Sequence, residues 1–186
     1  STQCTPLHRS QSSHFSSKSL KFCHFFAKYC QILADLLTLQ EIWGGWEGRR
    51  LAWVGDGNNV CHSWMVAAAQ TNFQLVVSTP PGFEPDAQLF ERCNRVSPGS
   101  VVWLEQPEKA VAGADALITD VWVSMGQEKE AEERRRLFMP YQVNQTLIEQ
   151  AADHAVLLHC LPAHWGDEVR VLAGHLAGVP ITFITT

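Results

Sequence analysis

"LAWVGDGNNVCHSWMVAAAQ", residues 51–70, is the stretch whose reading decides the fold. Its first five residues, Leu51 to Gly55, form a short apolar run of the length and character of a buried strand. The polar residues Asp56–Asn59 interrupt it, and the segment "HSWMVAAAQ" (62–70) then reads as a helix. A strand that passes through a glycine-containing turn into a helix is the opening of a βα unit. The same alternation recurs downstream. "QLVVS" (74–78) is a strand ended by the turn Thr79-Pro80-Pro81-Gly82, and "SVVWL" (100–104), "ALITD" (116–120) and "AVLLHC" (155–160) are further apolar runs. Helical stretches at 107–113, 127–137 and 144–152 lie between them. Strands that read as nearly continuous Val/Leu runs are buried on both faces, so the expected fold is α/β: a doubly wound, Rossmann-like parallel sheet with helices on both sides.

Upstream, Ile32, Leu33, Leu36, Leu37 and Leu39 recur at helical spacing, which predicts an amphipathic helix over Gln31–Glu41, ended by Gly44-Gly45. Residues 1–24 are rich in Ser, His, Lys and Gln, show no sustained period and contain no secretory-type apolar core. Residues 1–27 are accordingly expected to be an atypical, disordered tail, and 28–186 a single domain.

Composition narrows the function classes. The 186 residues are 46% hydrophobic and 18% charged with a net charge of -5, as expected for one globular domain and without the basic stripe of a nucleic-acid binder. No apolar run approaches the roughly eighteen residues that cross a bilayer. The six cysteines show no Cys-x-x-Cys spacing and are too sparse for a disulfide scaffold, which predicts reduced thiols in a cytoplasmic setting.

In a doubly wound fold, ligands bind beyond the carboxyl ends of the strands, and three unusual motifs fall there. In "VGDGNNVCHS" (54–63), Val60 stands where a dinucleotide fingerprint has its third glycine, so the nucleotide reading is weak. Asn58 and Asn59 can cap the helix or offer amides to a ligand. In "TDVWVSMGQE" (119–128), Asp120 either caps the next segment or presents a carboxylate to the crevice. The charge run Glu128–Arg136 reads as a solvated helix with an acidic start and a basic end. In "HCLPAHWG" (159–166), Cys160 is open to four readings: nucleophile, metal ligand, packed thiol, or a group that touches substrate without bonding to it. A zinc site at His159, Cys160 and His164 lacks a fourth ligand, so no metal and no cofactor is expected.

Together "QILADLLTLQE", "AWVGDGNNVCHS", "TPPGFEPD", "ITDVWVSMGQE", "PYQVN" and "HCLPAH", in this order and spacing, resemble the ornithine carbamoyltransferase family over about residues 30–168. The resemblance implies a transferase that makes L-citrulline and phosphate from carbamoyl phosphate and L-ornithine, in arginine biosynthesis or catabolism. It identifies this chain with the second, ornithine-binding domain. It places Asn59, Asp120, Ser124 and Met125 on ornithine, and Gln31, Cys160 and Leu161 beside carbamoyl phosphate, with Asp120 and Cys160 as the catalytic pair. The cysteine is then a positioning and proton-handling group. The family also implies a homotrimer, with no nucleic acid or membrane partner.

Several positions depart from the pattern. Lys28 and Tyr29 stand where the family has His-Pro before Cys-Gln, Trp165 replaces a usual arginine, and the sequence after Val169 diverges. No Ser-Thr-Arg-Thr-Arg phosphate loop occurs in these residues. The stretch is therefore expected to make no citrulline by itself and not to form the trimer, whose contacts come largely from the first domain. A non-catalytic amino-acid-binding or interaction module is the alternative, and a nucleotide-binding domain a distant third.

Overall fold

The first element among the described residues is a helix, α1 (Ser17–Trp43), whose last turn closes when the Gly44 N–H donates to the Gln40 carbonyl. The computed structural model describes residues 17–123, 130–160, 163–170 and 181–184, of which 17–29 and 181–184 are described in backbone only. Ser124, Met125, Leu161 and residues 1–16 lie outside the described residues.

Strand and helix then alternate: β1 (Arg50–Val54), α2 (Asn59–Thr71), β2 (Gln74–Ser78), α3 (Ala87–Val96), β3 (Val101–Trp103), α4 (Pro107–Val111) and β4 (Ala116–Thr119). α5 (Ala131–Phe138), β5 (Val143–Asn144), α6 (Gln145–Ile148), β6 (Val156–Cys160), β7 (Val169–Arg170) and β8 (Ile181–Ile184) come next. Six strands form one parallel sheet in the order β3-β2-β1-β4-β6-β8, and β5 and β7 form a separate two-stranded ladder. From β1 the chain winds outward to β2 and β3, then returns to β1's other side to place β4, β6 and β8. The switch point therefore lies between β1 and β4, the place at whose carboxyl ends folds of this kind bind their ligands.

The two-residue period of the strands divides the core. Leu51 and Trp53 face one side with Leu75, Val77 and Ile118, covered by α1, α2 and α3. Ala52 and Val54 face the other side with Leu117 and Leu157, covered by α4 and α6. All four strand runs that form the centre of this sheet coincide with the apolar runs of the sequence to within a residue.

Several expectations are corrected. The helix predicted over Gln31–Glu41 is part of a longer one, Ser17–Trp43. Its buried face is Ile32, Leu36 and Leu39, whereas Leu33 and Leu37 are 65% and 58% exposed on the outer side. One helical stripe about 100° wide cannot hold both sets. α3 and β8 were not expected. α3 buries little besides Cys93, so its apolar signal is thin, although Asp86 caps it by accepting from the Leu89 N–H.

Candidate functional site

Two loops meet at the switch point. The β1 loop begins at Gly55, whose φ of +142° is a conformation that side-chain-bearing residues rarely adopt. Gly57 has a different reason to be glycine. A Cβ there would lie 2.5 Å from the Phe83 carbonyl oxygen and 2.5 Å from the Pro85 nitrogen, both backbone atoms. The loop is thus pressed against the turn after β2, and the Gly57 N–H donates to the Phe83 carbonyl at 2.9 Å.

Asn58 is next and does two things. Its Oδ1 accepts from the backbone N–H groups of Val60 and Cys61, capping α2, while its Nδ2 donates to Asp120 Oδ2 at 2.9 Å. Of the two roles that the sequence left open, the cap is therefore present, and the amide nitrogen is spent on Asp120. Asn59, the neighbour expected on ornithine, is the exposed first residue of α2.

Asp120 closes the β4 side. It is 8% exposed, and its Oδ1 accepts from the Val121 N–H at 2.8 Å. Just beneath, the Thr119 hydroxyl donates to the Val54 carbonyl at 2.8 Å, locking the ends of β1 and β4 together. Asp120 and the β1 loop are thus brought together from positions some sixty residues apart, because β1 and β4 are sheet neighbours.

Arg134 corrects the reading of the charge run as a solvated helix. It is only 5% exposed. Its Nη2 pairs with Asp56 of the β1 loop, and its Nε donates to the Trp122 carbonyl at 2.6 Å. The guanidinium also lies 4.7 Å from the centre of the Phe83 ring and 5.0 Å from that of Phe138. Sequence reasoning missed it because a glutamate- and arginine-rich run carries no sign of which arginine turns inward. Phe138, four residues on and fully buried, was the available signal.

At the end of β6, His159 and Cys160 point to opposite faces of the sheet. His159 Nε2 lies 3.1 Å from Glu168 Oε1, with both side chains essentially out of water. The same carboxylate oxygen accepts the His164 N–H at 2.6 Å. Glu168 therefore ties the returning chain, residues 164–168, back to the strand it left. His159 Nδ1 and Glu168 Oε2 are buried with no hydrogen-bond partner among the described residues. Cys160 is partly exposed at the strand tip. No group of three or more His, Cys, Asp or Glu suited to a metal ion occurs among the described residues.

Gln31 sits on α1, whose buried residues share a core with Leu158 of β6. It is 4% exposed, and its Nε2 donates to Asp35 Oδ1 at 2.9 Å. Burial pushes the Asp35 carboxyl up to about 7, against the opposing pull of the Gln31 hydrogen bond. The side chain expected on the carbamoyl group thus has one of its donors engaged within its own helix.

Among the described residues no helix is long and apolar enough to cross a membrane. Residues 47–173 match the family described as aspartate/ornithine carbamoyltransferase, Asp/Orn binding domain. A protein of Carboxydothermus hydrogenoformans named ornithine carbamoyltransferase is 50% identical over 143 residues, which is 75% of this chain and 46% of that protein. The solved structure of ornithine carbamoyltransferase from Pyrococcus furiosus superposes with a TM-score of 0.71 at 47% identity, covering 75% of this chain and 46% of the other. That from Thermus thermophilus gives 0.65 at 44% identity, covering 75% and 44%. The chain spans somewhat less than half the length of these relatives, and within that span it belongs to the aspartate/ornithine carbamoyltransferase family, as its Asp/Orn binding domain.

Proposed function

We propose that this chain is the ornithine-binding half, residues 28–186, of an ornithine carbamoyltransferase-type enzyme acting on carbamoyl phosphate and L-ornithine. The observation that carries the reading is Asp120: a nearly buried carboxylate at the sheet's switch point, oriented by Asn58 from the facing loop. A carboxylate so placed suits an ammonium group, and the exposed amide of Asn59 stands at the same loop. Ser124 and Met125 complete the ornithine set, and Gln31, Cys160 and Leu161 the carbamoyl phosphate set, on the strength of the family resemblance.

In the reaction the δ-nitrogen of ornithine attacks the carbamoyl carbon, the bond from that carbon to the phosphate oxygen breaks, and the nitrogen sheds a proton. The amine must arrive neutral, although it is protonated in free solution. A carboxylate and a thiol facing it can orient it and accept hydrogen bonds from it as the proton leaves. Cys160 needs no covalent intermediate for this role. The buried thiols Cys61 and Cys93 suit a reducing cytoplasm, and a homotrimer is the assembly of the whole enzyme.

Calorimetric titration with L-ornithine, with and without carbamoyl phosphate, tests the reading. Asp120→Asn is expected to weaken ornithine binding at least about tenfold, because a desolvated ammonium loses its charged partner. An unchanged dissociation constant would make Asp120 a structural cap only. A binding module without chemistry is the second reading, favoured by Lys28 and Tyr29 in place of His-Pro. Citrulline formed when a separately produced first domain is added would reject it.

A further inference from the structure

The contacts at the switch point form a closed circuit. Asp120 accepts from Asn58, 62 residues away in sequence. Two residues before Asn58, Asp56 pairs with Arg134, 78 residues away. Arg134 in turn holds the carbonyl of Trp122, two residues after Asp120. The circuit therefore runs through both loops that face the crevice and returns to its start. Of its members only Arg134 stands outside both loops and reaches each of them.

We propose that Arg134 is a positioning residue that sets the spacing of the β1 and β4 loops, and through that spacing the affinity of the site for ornithine. The effect on affinity rests on the ornithine reading above. The effect on spacing stands on geometry alone.

Burying a guanidinium is costly, and an apolar residue of similar volume would often fill the space with equal stability. What the apolar residue could not do is bind two different backbone segments in fixed directions. The guanidinium is a planar fork, so its Nε and Nη2 donors leave at a set angle, one to the Trp122 carbonyl and one to the Asp56 carboxylate. Phe83 and Phe138 hold the plane of that fork through ring contacts. Phe83 belongs to the same turn against which Gly57 is pressed, so the fork's orientation and the β1 loop's position share one support. A lysine would keep the charge but offer a single compact ammonium, able to serve one of the two partners well.

The test compares the parent chain with Arg134→Lys and with Ile148→Val. The second variant trims a buried side chain of α6, away from the circuit, and serves as a general stability control. Each is titrated with L-ornithine and followed by amide hydrogen exchange at Val60, Cys61 and Val121, the N–H groups held by Asn58 and Asp120. Arg134→Lys is expected to raise exchange at these three amides and to weaken ornithine binding about tenfold or more. Ile148→Val should do neither beyond its effect on overall stability. Combining Arg134→Lys with Asp56→Asn should weaken binding no further than the worse single change, because both open the same circuit. If Arg134→Lys leaves the three amides as protected as Ile148→Val does, the proposal is overturned. Were the parent chain to bind no ornithine, exchange alone would decide the spacing role, and the ornithine reading would fail separately. Altered exchange with unaltered ornithine affinity would overturn the claim that the spacing governs the site.

Discussion

The two ends of the sheet use the same chemistry in opposite settings. At the amino ends of β1, β4 and β6, Arg49 and His154 both reach Asp115 Oδ1, at 2.9 and 2.7 Å, and the side chains are 31%, 56% and 16% exposed. At the carboxyl ends, Arg134 and Asp56 meet at 6% and 18% exposure, under two aromatic rings. In the first group the cations Arg49 and His154 stay open to water, which screens them, so they fasten the strand starts at little cost and little gain. The two carboxylates are alike in exposure, so the difference lies in the cation: Arg134 has lost nearly all its water, and its charge is costly to hold and costlier to separate from Asp56. A domain that needed only stability would have little reason to place it there. Charge buried at the end where folds of this kind bind ligands fits the positioning role proposed for Arg134, whereas the other cluster has its cations open to water.

Asp35 takes this contrast to its limit, because among the described residues its buried carboxyl faces an amide and no cation. With a native value of about 7 against an ordinary 3.8, the folded chain holds this proton where the unfolded chain has released it. Stability from this group is thus fully present below the unfolded value and declines as pH rises towards 7. The decline should be of order 3 kcal/mol at most between pH 5 and pH 8, read from urea unfolding at those two values. Asp35→Asn should flatten the slope and make the variant more stable than the parent at pH 8. A slope that survives the substitution would assign the pH dependence elsewhere.

Gly57→Ala probes the crowded carboxyl end. The added carbon meets backbone on two sides, and backbone cannot swing aside as a side chain can. A loss of about 3 kcal/mol is expected, measured as a lower urea midpoint at unchanged slope. A near-neutral result would show that the turn 79–86 is free to move and that the two ends differ less than their burial suggests.

His154→Ala gives the smallest effect. It removes an exposed partner of Asp115 and should cost under about 1 kcal/mol, and less still in high salt. For Asp115, burial acts to raise its pKa, but the Arg50 N–H, His154 and Arg49 together outweigh it and hold the carboxyl below its ordinary value. That contribution is present above pH 4 and is lost as pH falls through the native value. The variant's acid unfolding should therefore begin at slightly higher pH. A loss as large as that of Gly57→Ala would erase the contrast between the two edges.

The central strands were legible because burial on both faces leaves an uninterrupted apolar signature, as in Leu51–Val54 and Ala155–Leu158. The family motifs were legible for a related reason: Gly57 has a steric neighbour and Asp120 a partner loop, so both stand out against an apolar strand. Elements that bury few side chains left little trace, as with α3 and the two-residue strands β5 and β7. On α1, five apolar residues at nearly helical spacing suggested one face, yet Leu33 and Leu37 lie outside it. Arg134 was hidden most completely. Its burial depends on Asp56 and Phe83, which no local period connects to it.

The sheet order has a consequence in time. β1 pairs with β2 across a short span, Arg50 with Gln74, but with β4 only across the whole of α2 to α4, Leu51 with Ala116. Closing a longer loop costs more chain entropy before any contact repays it. The half formed by β1, β2 and β3 can therefore condense as a local unit, and β4 must find it afterwards. The Asp56–Arg134 and Asn58–Asp120 links are longer still in one case and comparable in the other, so they are expected to follow that local unit. Interactions made after the folding barrier act mainly as a brake on unfolding. The crevice is thus expected to assemble after the β1–β3 half, and its charged circuit to govern how long the folded chain lasts more than how fast it forms.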